Sequence, residues 1–243
     1  MIDFHCHLDL YKNPLALMKE VEKRCDFVLA VTTSPRAWVK TSQVFSGIGN
    51  ISVGLGLHPE ILAERIQERE LFMSYISKCS YLGEIGVDGS SCNRNSLSMQ
   101  ESFLLEVIKV AEKQGGKVMS LHSRNASKKI LQIIESEVNS STPILHWFTG
   151  TLNEVEWAIS LGCWFSINPK MFLNKKGIEI VKKIPLSKII PETDGPFTEH
   201  AGRPYMPWEV DIILDNLSQM HRIPLTEIGE IISNNAEILQ KKL

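Results

Sequence analysis

What constrains this chain most is an alternation that recurs eight times: a short apolar stretch, then a longer stretch with helical spacing. The apolar stretches fall at 2–7, 27–32, 51–57, 81–87, 117–122, 143–147, 163–167 and 188–193. Short continuous apolar runs are the mark of parallel strands covered on both faces. Helix starts follow them. Asn13-Pro14 and Ser34-Pro35 place a capping side chain before a first-turn proline, while Ser98 to Glu101 and Thr151 to Glu154 have capping-box spacing. After the third strand a helix is predicted through about residue 78. Gly115-Gly116 and Gly162 stop two later helices. Eight strand–helix units in 243 residues predict one α/β domain over 1–243, a (β/α)8 TIM barrel, ahead of an open doubly wound sheet.

Composition excludes several classes. With 43% hydrophobic and 22% charged residues the chain is neither disordered nor fibrous. A formal net charge of -2 rules out coating nucleic acid by bulk attraction, so any such contact is local. No apolar run approaches a membrane span, and a strand begins at residue 2 with no leader before it, so a cytoplasmic protein without a membrane partner is expected. Cys6, Cys25, Cys79, Cys92 and Cys163 are odd in number and lack any C-x-x-C pair. They are expected to be thiols in a reducing compartment.

A barrel of this kind carries its active site at the C-terminal ends of its strands. Metal-competent side chains collect there. His5 and His7 close the first strand, Glu84 lies near the end of the fourth, and His122, His146 and Asp194 end the fifth, sixth and eighth. One strand-terminal histidine is more often a hydrogen-bonded core residue than a ligand; here the candidates converge. Six such groups can hold two divalent ions with Glu84 as a bridge, because neighbouring cations require shared negative charge. The imidazole-rich set suits zinc or manganese better than magnesium. Asp194 is placed to orient or deprotonate a water, which makes Glu84 and Asp194 the catalytic candidates.

Around this centre, Arg124 presents a guanidinium fork suited to phosphate. His58, read as ending the third strand, is a candidate for phosphate or a further ion. Arg203, Lys170, Lys175 and Lys176 lie in late loops where cations can hold a strand backbone. Trp147 and Phe148 are candidates to stack on a base. Cys6 is turned by strand alternation toward the helices and reads as packing.

Six ordered blocks then match a known pattern. They are Ile-Asp-Phe-His-Cys-His at 2–7, Gly-Leu-His-Pro at 56–59, Gly-Glu-Ile-Gly-Val-Asp at 83–88, Leu-His-Ser-Arg at 121–124, His-Trp-Phe-Thr-Gly at 146–150 and Glu-Thr-Asp-Gly-Pro at 192–196. Together they resemble the signature blocks of TatD-type metal-dependent deoxyribonucleases, across the whole chain. The resemblance implies that His5, His7, Glu84 and Asp194 hold one ion and Glu84, His122 and His146 the other. It also implies magnesium-dependent hydrolysis of DNA, often as a 3′ to 5′ exonuclease on single strands. Stretches such as His-Cys-His-Leu-Asp-Leu-Tyr and Gly-Cys-Trp-Phe-Ser further resemble the TatD-like nucleases of Qat anti-phage systems, which implies partner proteins including an ATPase.

The chain departs from the family pattern at Gly89, at His58-Pro59-Glu60 and at Pro204-Tyr205-Met206-Pro207. All three departures lie around the expected substrate groove. Two alternatives stand beside the nuclease: an amidohydrolase-type enzyme acting on an ester, lactone or D-aminoacyl bond, and a non-catalytic subunit of a defence complex. Glu84 in the bridging role and a complete ligand set favour the nuclease.

Overall fold

The computed structural model describes residues 1–242. Its eight core strands are β1 (Ile2–Cys6), β2 (Phe27–Val31), β3 (Ile51–Gly54), β4 (Tyr81–Gly86), β5 (Val118–His122), β6 (Thr142–His146), β7 (Trp164–Ile167) and β8 (Ile189–Pro191). All neighbouring pairs are parallel, in the order β1-β2-β3 and β4-β5-β6-β7-β8. Two seams turn these arcs into a ring. Between β3 and β4, Leu55 N–H donates to Tyr81 O at 3.0 Å and Gly83 N–H to Leu55 O at 2.9 Å. Between β8 and β1, Asp194 N–H donates to His5 O at 2.9 Å and His7 N–H to Gly195 O at 2.8 Å.

The helices α1 (Pro14–Arg24), α2 (Pro35–Val44), α3 (Leu62–Arg65), α4 (Arg69–Tyr75), α5 (Leu97–Lys113), α6 (Ser127–Glu137), α7 (Leu152–Ser160), α8 (Lys175–Lys183), α9 (Asp211–His221) and α10 (Leu225–Gln240) surround the ring. The caps at Asn13, Ser34 and Thr151 form as expected, the last as a full capping box with Glu154. The box expected at Ser98 does not. A 3-10 turn over Ser91–Ser96 runs straight into α5, so Ser98 is already helical, and Ser96 Oγ instead accepts from Gln100 Nε2 at 2.8 Å. The long helix expected after β3 is also broken into α3, α4 and intervening 3-10 turns. Glu68 sits at that break, 1% exposed, where its carboxylate accepts from Arg36 N–H and Arg65 Nη1, each at 3.3 Å.

Inside the ring, alternation sorts the side chains into layers. Phe4, Leu29, Tyr81, Val118, Ile144, Trp164 and Ile190 fill the lower part, and Ala236 and Leu239 of α10 pack beneath them. Each fully buried aliphatic or aromatic side chain there contributes about 1.5–3 kcal/mol. One step further along each strand the inward positions become polar: Glu84 on β4, Ser120 and His122 on β5, His146 on β6, Ser166 on β7 and Glu192 after β8, all buried. The apolar layer fixes the barrel, and the polar layer forms the floor of a cavity of about 680 Å³ at the C-terminal mouth.

Candidate metal centre

Glu84 stands at the middle of this floor, 2% exposed. Its two carboxylate oxygens face opposite sets of imidazoles. Oε2 lies 3.4 Å from His5 Nε2 and 3.2 Å from His7 Nε2. Oε1 lies 3.1 Å from His58 Nε2, 2.7 Å from His122 Nδ1 and 3.7 Å from His146 Nε2. Asp194 joins the first set, its Oδ1 3.7 Å from His5 Nε2 and 3.6 Å from His7 Nε2. All six metal candidates therefore meet in one place. They do so even though His7 lies one residue past β1 and that strand's register shifts between Asp3 and Cys6.

The donor set fits divalent cations. Several of the nitrogen–oxygen separations exceed hydrogen-bond length while their atoms converge on shared points, and His5 Nε2 is buried with no hydrogen-bond partner among the described residues. Three groups, His5-His7-Glu84, His58-Glu84-His122 and His5-His146-Glu192, place ligand atoms close enough to share an ion. Burial opposes the charge on Glu84, but the imidazoles of His58 and His5 and the His122 hydrogen bond hold its carboxyl well below the usual range. Burial holds His5 down to about 4, the neutral form a ligand requires.

Outer partners orient the rings. His5 Nδ1 lies 2.7 Å from Ser120 Oγ, and His122 Nε2 lies 2.7 Å from Asp88 Oδ2. His146 Nδ1 is held between the oxygens of Glu192 at 2.9 and 3.0 Å. Burial works against charge on His146, yet Glu192 raises it to about 10. Asp3, fully buried, accepts from His5 N–H, Thr193 N–H and the Thr193 hydroxyl, tying the first ligand strand to the last. Asp88, Glu192, Ser120 and Asp3 are contributors that the sequence reading missed. Ser120 and Glu192 carried a signal, being polar at inward positions of otherwise apolar strands.

Backbone conformation serves the same end. Gly86 has φ +145°, and a Cβ there would lie 2.1 Å from His122 O, so only glycine lets β4 approach β5 this closely. Trp147 and Asp194 hold positive φ of 36° and 55° immediately after and at a candidate ligand. Such conformations cost about 1–3 kcal/mol each and persist where surrounding contacts enforce them.

The substrate candidates divide. Arg124 lines the cavity, its Nε donating to Asp88 Oδ2 at 2.9 Å and Ser90 Oγ at 3.0 Å, with Nη2 paired to Glu60. His58 lies beyond β3, which ends at Gly54, and lines the cavity with its Nε2 3.1 Å from Glu84 Oε1, beside the metal candidates. Arg203 does not line the cavity. It sits in the hairpin of β9 (Glu199–His200) and β10 (Arg203–Pro204), where Glu209 takes its guanidinium at 2.7 and 2.5 Å. Lys170 lines the cavity and donates to Glu199 O at 2.7 Å; Lys175 and Lys176 open α8, with Lys176 donating to Thr149 O at 2.6 Å. Trp147 reaches the cavity, whereas Phe148 is 1% exposed and packs on Phe165. Cys6 is buried beside Tyr11 on the α1 side, as alternation implies. No helix among the described residues is long and apolar enough to cross a membrane.

Comparison with known proteins places the fold and the family. The chain is 29% identical to an uncharacterized metal-dependent hydrolase of Buchnera aphidicola, over 98% of each chain. It is 25% identical to deoxyribonuclease TATDN3 of Homo sapiens, over 100% of this chain and 95% of that one. The crystal structure of YJJV, a TatD homolog from Escherichia coli K12, has the same fold with a TM-score of 0.88 at 22% identity, covering 98% of this chain and 97% of that one. A TatD family hydrolase structure from Entamoeba histolytica superposes with a TM-score of 0.81 at 17% identity, over 98% of this chain and 97% of that one. The family model of TatD related DNases matches residues 2–241, and the chain belongs to that family of metal-dependent hydrolases.

Proposed function

We propose that the protein is a two-metal deoxyribonuclease that removes nucleotides from an end of single-stranded or frayed DNA. The observation that carries this is Glu84, whose two oxygens divide five imidazoles into two facing sets. His5, His7, Glu84 and Asp194 would hold one ion. Glu84, His122 and His146 would hold the other, with His58 beside them. Bound there, two divalent ions lower the pKa of a water and neutralise phosphate oxygens.

The chain's own groups do the rest. Asp194 presents a carboxylate on the cavity wall to orient the attacking water and take its proton. Arg124, anchored by Asp88 and Ser90, positions the phosphate through its guanidinium. Asp88 and Glu192 keep His122 and His146 turned toward the centre. The working ion is read as magnesium from the family, with manganese or zinc favoured by the nitrogen-rich donor set. The printed name of the human relative supports DNA as substrate. The 3′ to 5′ direction and a place in Qat anti-phage defence beside an ATPase extend the sequence resemblance, while a cytoplasmic location and action of residues 1–243 as one catalytic domain extend the hydropathy and the strand–helix alternation of the sequence.

The test incubates purified protein with end-labelled single-stranded DNA and Mg²⁺ or Mn²⁺, beside Glu84→Ala and Asp194→Ala. Stepwise shortening by the wild type and loss of at least about 10³-fold in the variants is the expected result, since each variant removes a ligand and a charge from the reacting centre. Failure to cut under either ion overturns the nuclease, and turnover of an ester substrate instead would move the protein to the amidohydrolase-type reading.

A further inference from the structure

Exposed apolar side chains scattered over a surface are ordinary. Phe197 is set apart by where it sits. It is 63% exposed and lines the cavity above the candidate centre; Leu173 is 72% exposed but does not. Phe197 N–H and Thr198 N–H both donate to Asp194 O, at 3.0 and 3.3 Å. One turn therefore presents both the Asp194 carboxylate and the Phe197 ring. The ring meets His7 in a T-shaped contact, centroids 5.0 Å apart, and the rest of it stays bare.

The same cavity is lined by Arg124 and Lys170. A nucleotide combines an anionic phosphate with a flat aromatic base, and this cavity combines cations with an open aromatic face. The aromatics of the loop after β6 suit the role less. Trp147 is half-buried and packed against the core, and Phe148 is buried.

We infer that Phe197 is the platform on which the base of the terminal nucleotide stacks, so that its phosphate is delivered to the candidate metal centre beside it. This rests on the nuclease reading above and deepens it. The ring recognises the presence of a base and not its identity, because every base has a stacking face. Terminal nucleotides that have lost their base are consequently poor substrates, and the enzyme slows at an abasic end.

The experiment uses two end-labelled single-stranded oligonucleotides that differ only in whether the last nucleotide carries a base. Wild type is expected to lose at least about 10-fold in kcat/KM on the abasic end, mostly through KM, as expected for one lost base–aromatic stack. Phe197→Ala should show the same loss on the intact end and no discrimination between the two. Phe197→Tyr should restore discrimination, while Phe197→Leu, apolar but without a π face, should not. A terminal 2-aminopurine gives a reading that does not depend on turnover: with Ca²⁺ in place of Mg²⁺, its fluorescence should be quenched by wild type and by Phe197→Tyr only. Equal hydrolysis of both oligonucleotides by wild type, or unchanged discrimination in Phe197→Ala, overturns the platform and leaves the nuclease standing. Hydrolysis of neither by wild type overturns the nuclease, and the platform with it.

Discussion

Glu192→Gln tests whether the buried outer carboxylate governs metal affinity. Glu192 is fully buried and receives three donors: His146 Nδ1 at 2.9 Å, Asn168 Nδ2 at 3.2 Å and the Ser166 hydroxyl. Glutamine has the same shape and keeps one acceptor oxygen. Its new amide N–H groups face Ser166, whose hydroxyl can rotate to accept, so the fold is retained while the charge is removed. Hydrogen bonds to a charged acceptor contribute about 1.5–3 kcal/mol and neutral ones about 0.5–1.5, a difference of about 1 kcal/mol or roughly 5-fold. Looser orientation of the ring adds to this, and loss of such partners typically weakens metal binding about 10- to 100-fold. The expected result is Mn²⁺ binding weakened about 10-fold at the half containing His146, with the His5 and His7 half far less affected. Calorimetric titration with Mn²⁺ reads the two steps, and a thermal melt confirms folding. A folded Glu192→Gln protein with wild-type Mn²⁺ affinity would refute the assignment, and equal weakening of both steps would refute the division made by Glu84.

Two further expectations concern the frame. Glu112 accepts from the N–H groups of Asn139, Ser140 and Ser141 at 3.1, 2.7 and 2.8 Å; burial would raise its carboxyl, but the Ser141 and backbone hydrogen bonds hold it below the usual range. Its folded-state pKa is depressed, so its contribution is present above the ordinary value of 4.5 and is lost as pH falls through the folded value. Glu112→Ala should cost about 2 kcal/mol at neutral pH in urea unfolding, one charge-assisted bond's worth because water replaces the others, and should lose less stability on acidification. Among the thiols, burial pushes Cys25, Cys79 and Cys163 up to about 12 and Cys6 well above its ordinary value, while Cys92 is exposed. A thiol-reactive disulfide reagent should therefore titrate Cys92 rapidly in native protein and the other four only in denaturant.

Local signals in the sequence were enough to place the strands, most helix starts and the six convergent ligand-type residues. Strand and helix periods are properties of neighbours in the chain, and a barrel turns the order of its strands into positions around a ring. What escaped depends on partners far apart in sequence. Asp88 is an ordinary loop acid until His122 and Arg124 are brought against it from β5. Arg203 looks like a free cation until Glu209 folds back onto it. The break between α3 and α4 follows from Glu68 turning inward to α2, which no helical period announces. For His58 the sequence leaves phosphate and a further ion both open, because whether an imidazole faces a carboxylate or open solvent is decided by the strand beside it.

The seam between β8 and β1 has a bearing on how the centre is assembled in folding. His5 and Asp194 are joined there by a backbone hydrogen bond, and Asp3 and Thr193 by two contacts within two residues of it. His5 and His7 thus meet the Asp194 carboxylate across a seam whose two sides lie 190 residues apart in sequence. A centre assembled across this seam is non-local, and its first and last strands come together only when the ring closes.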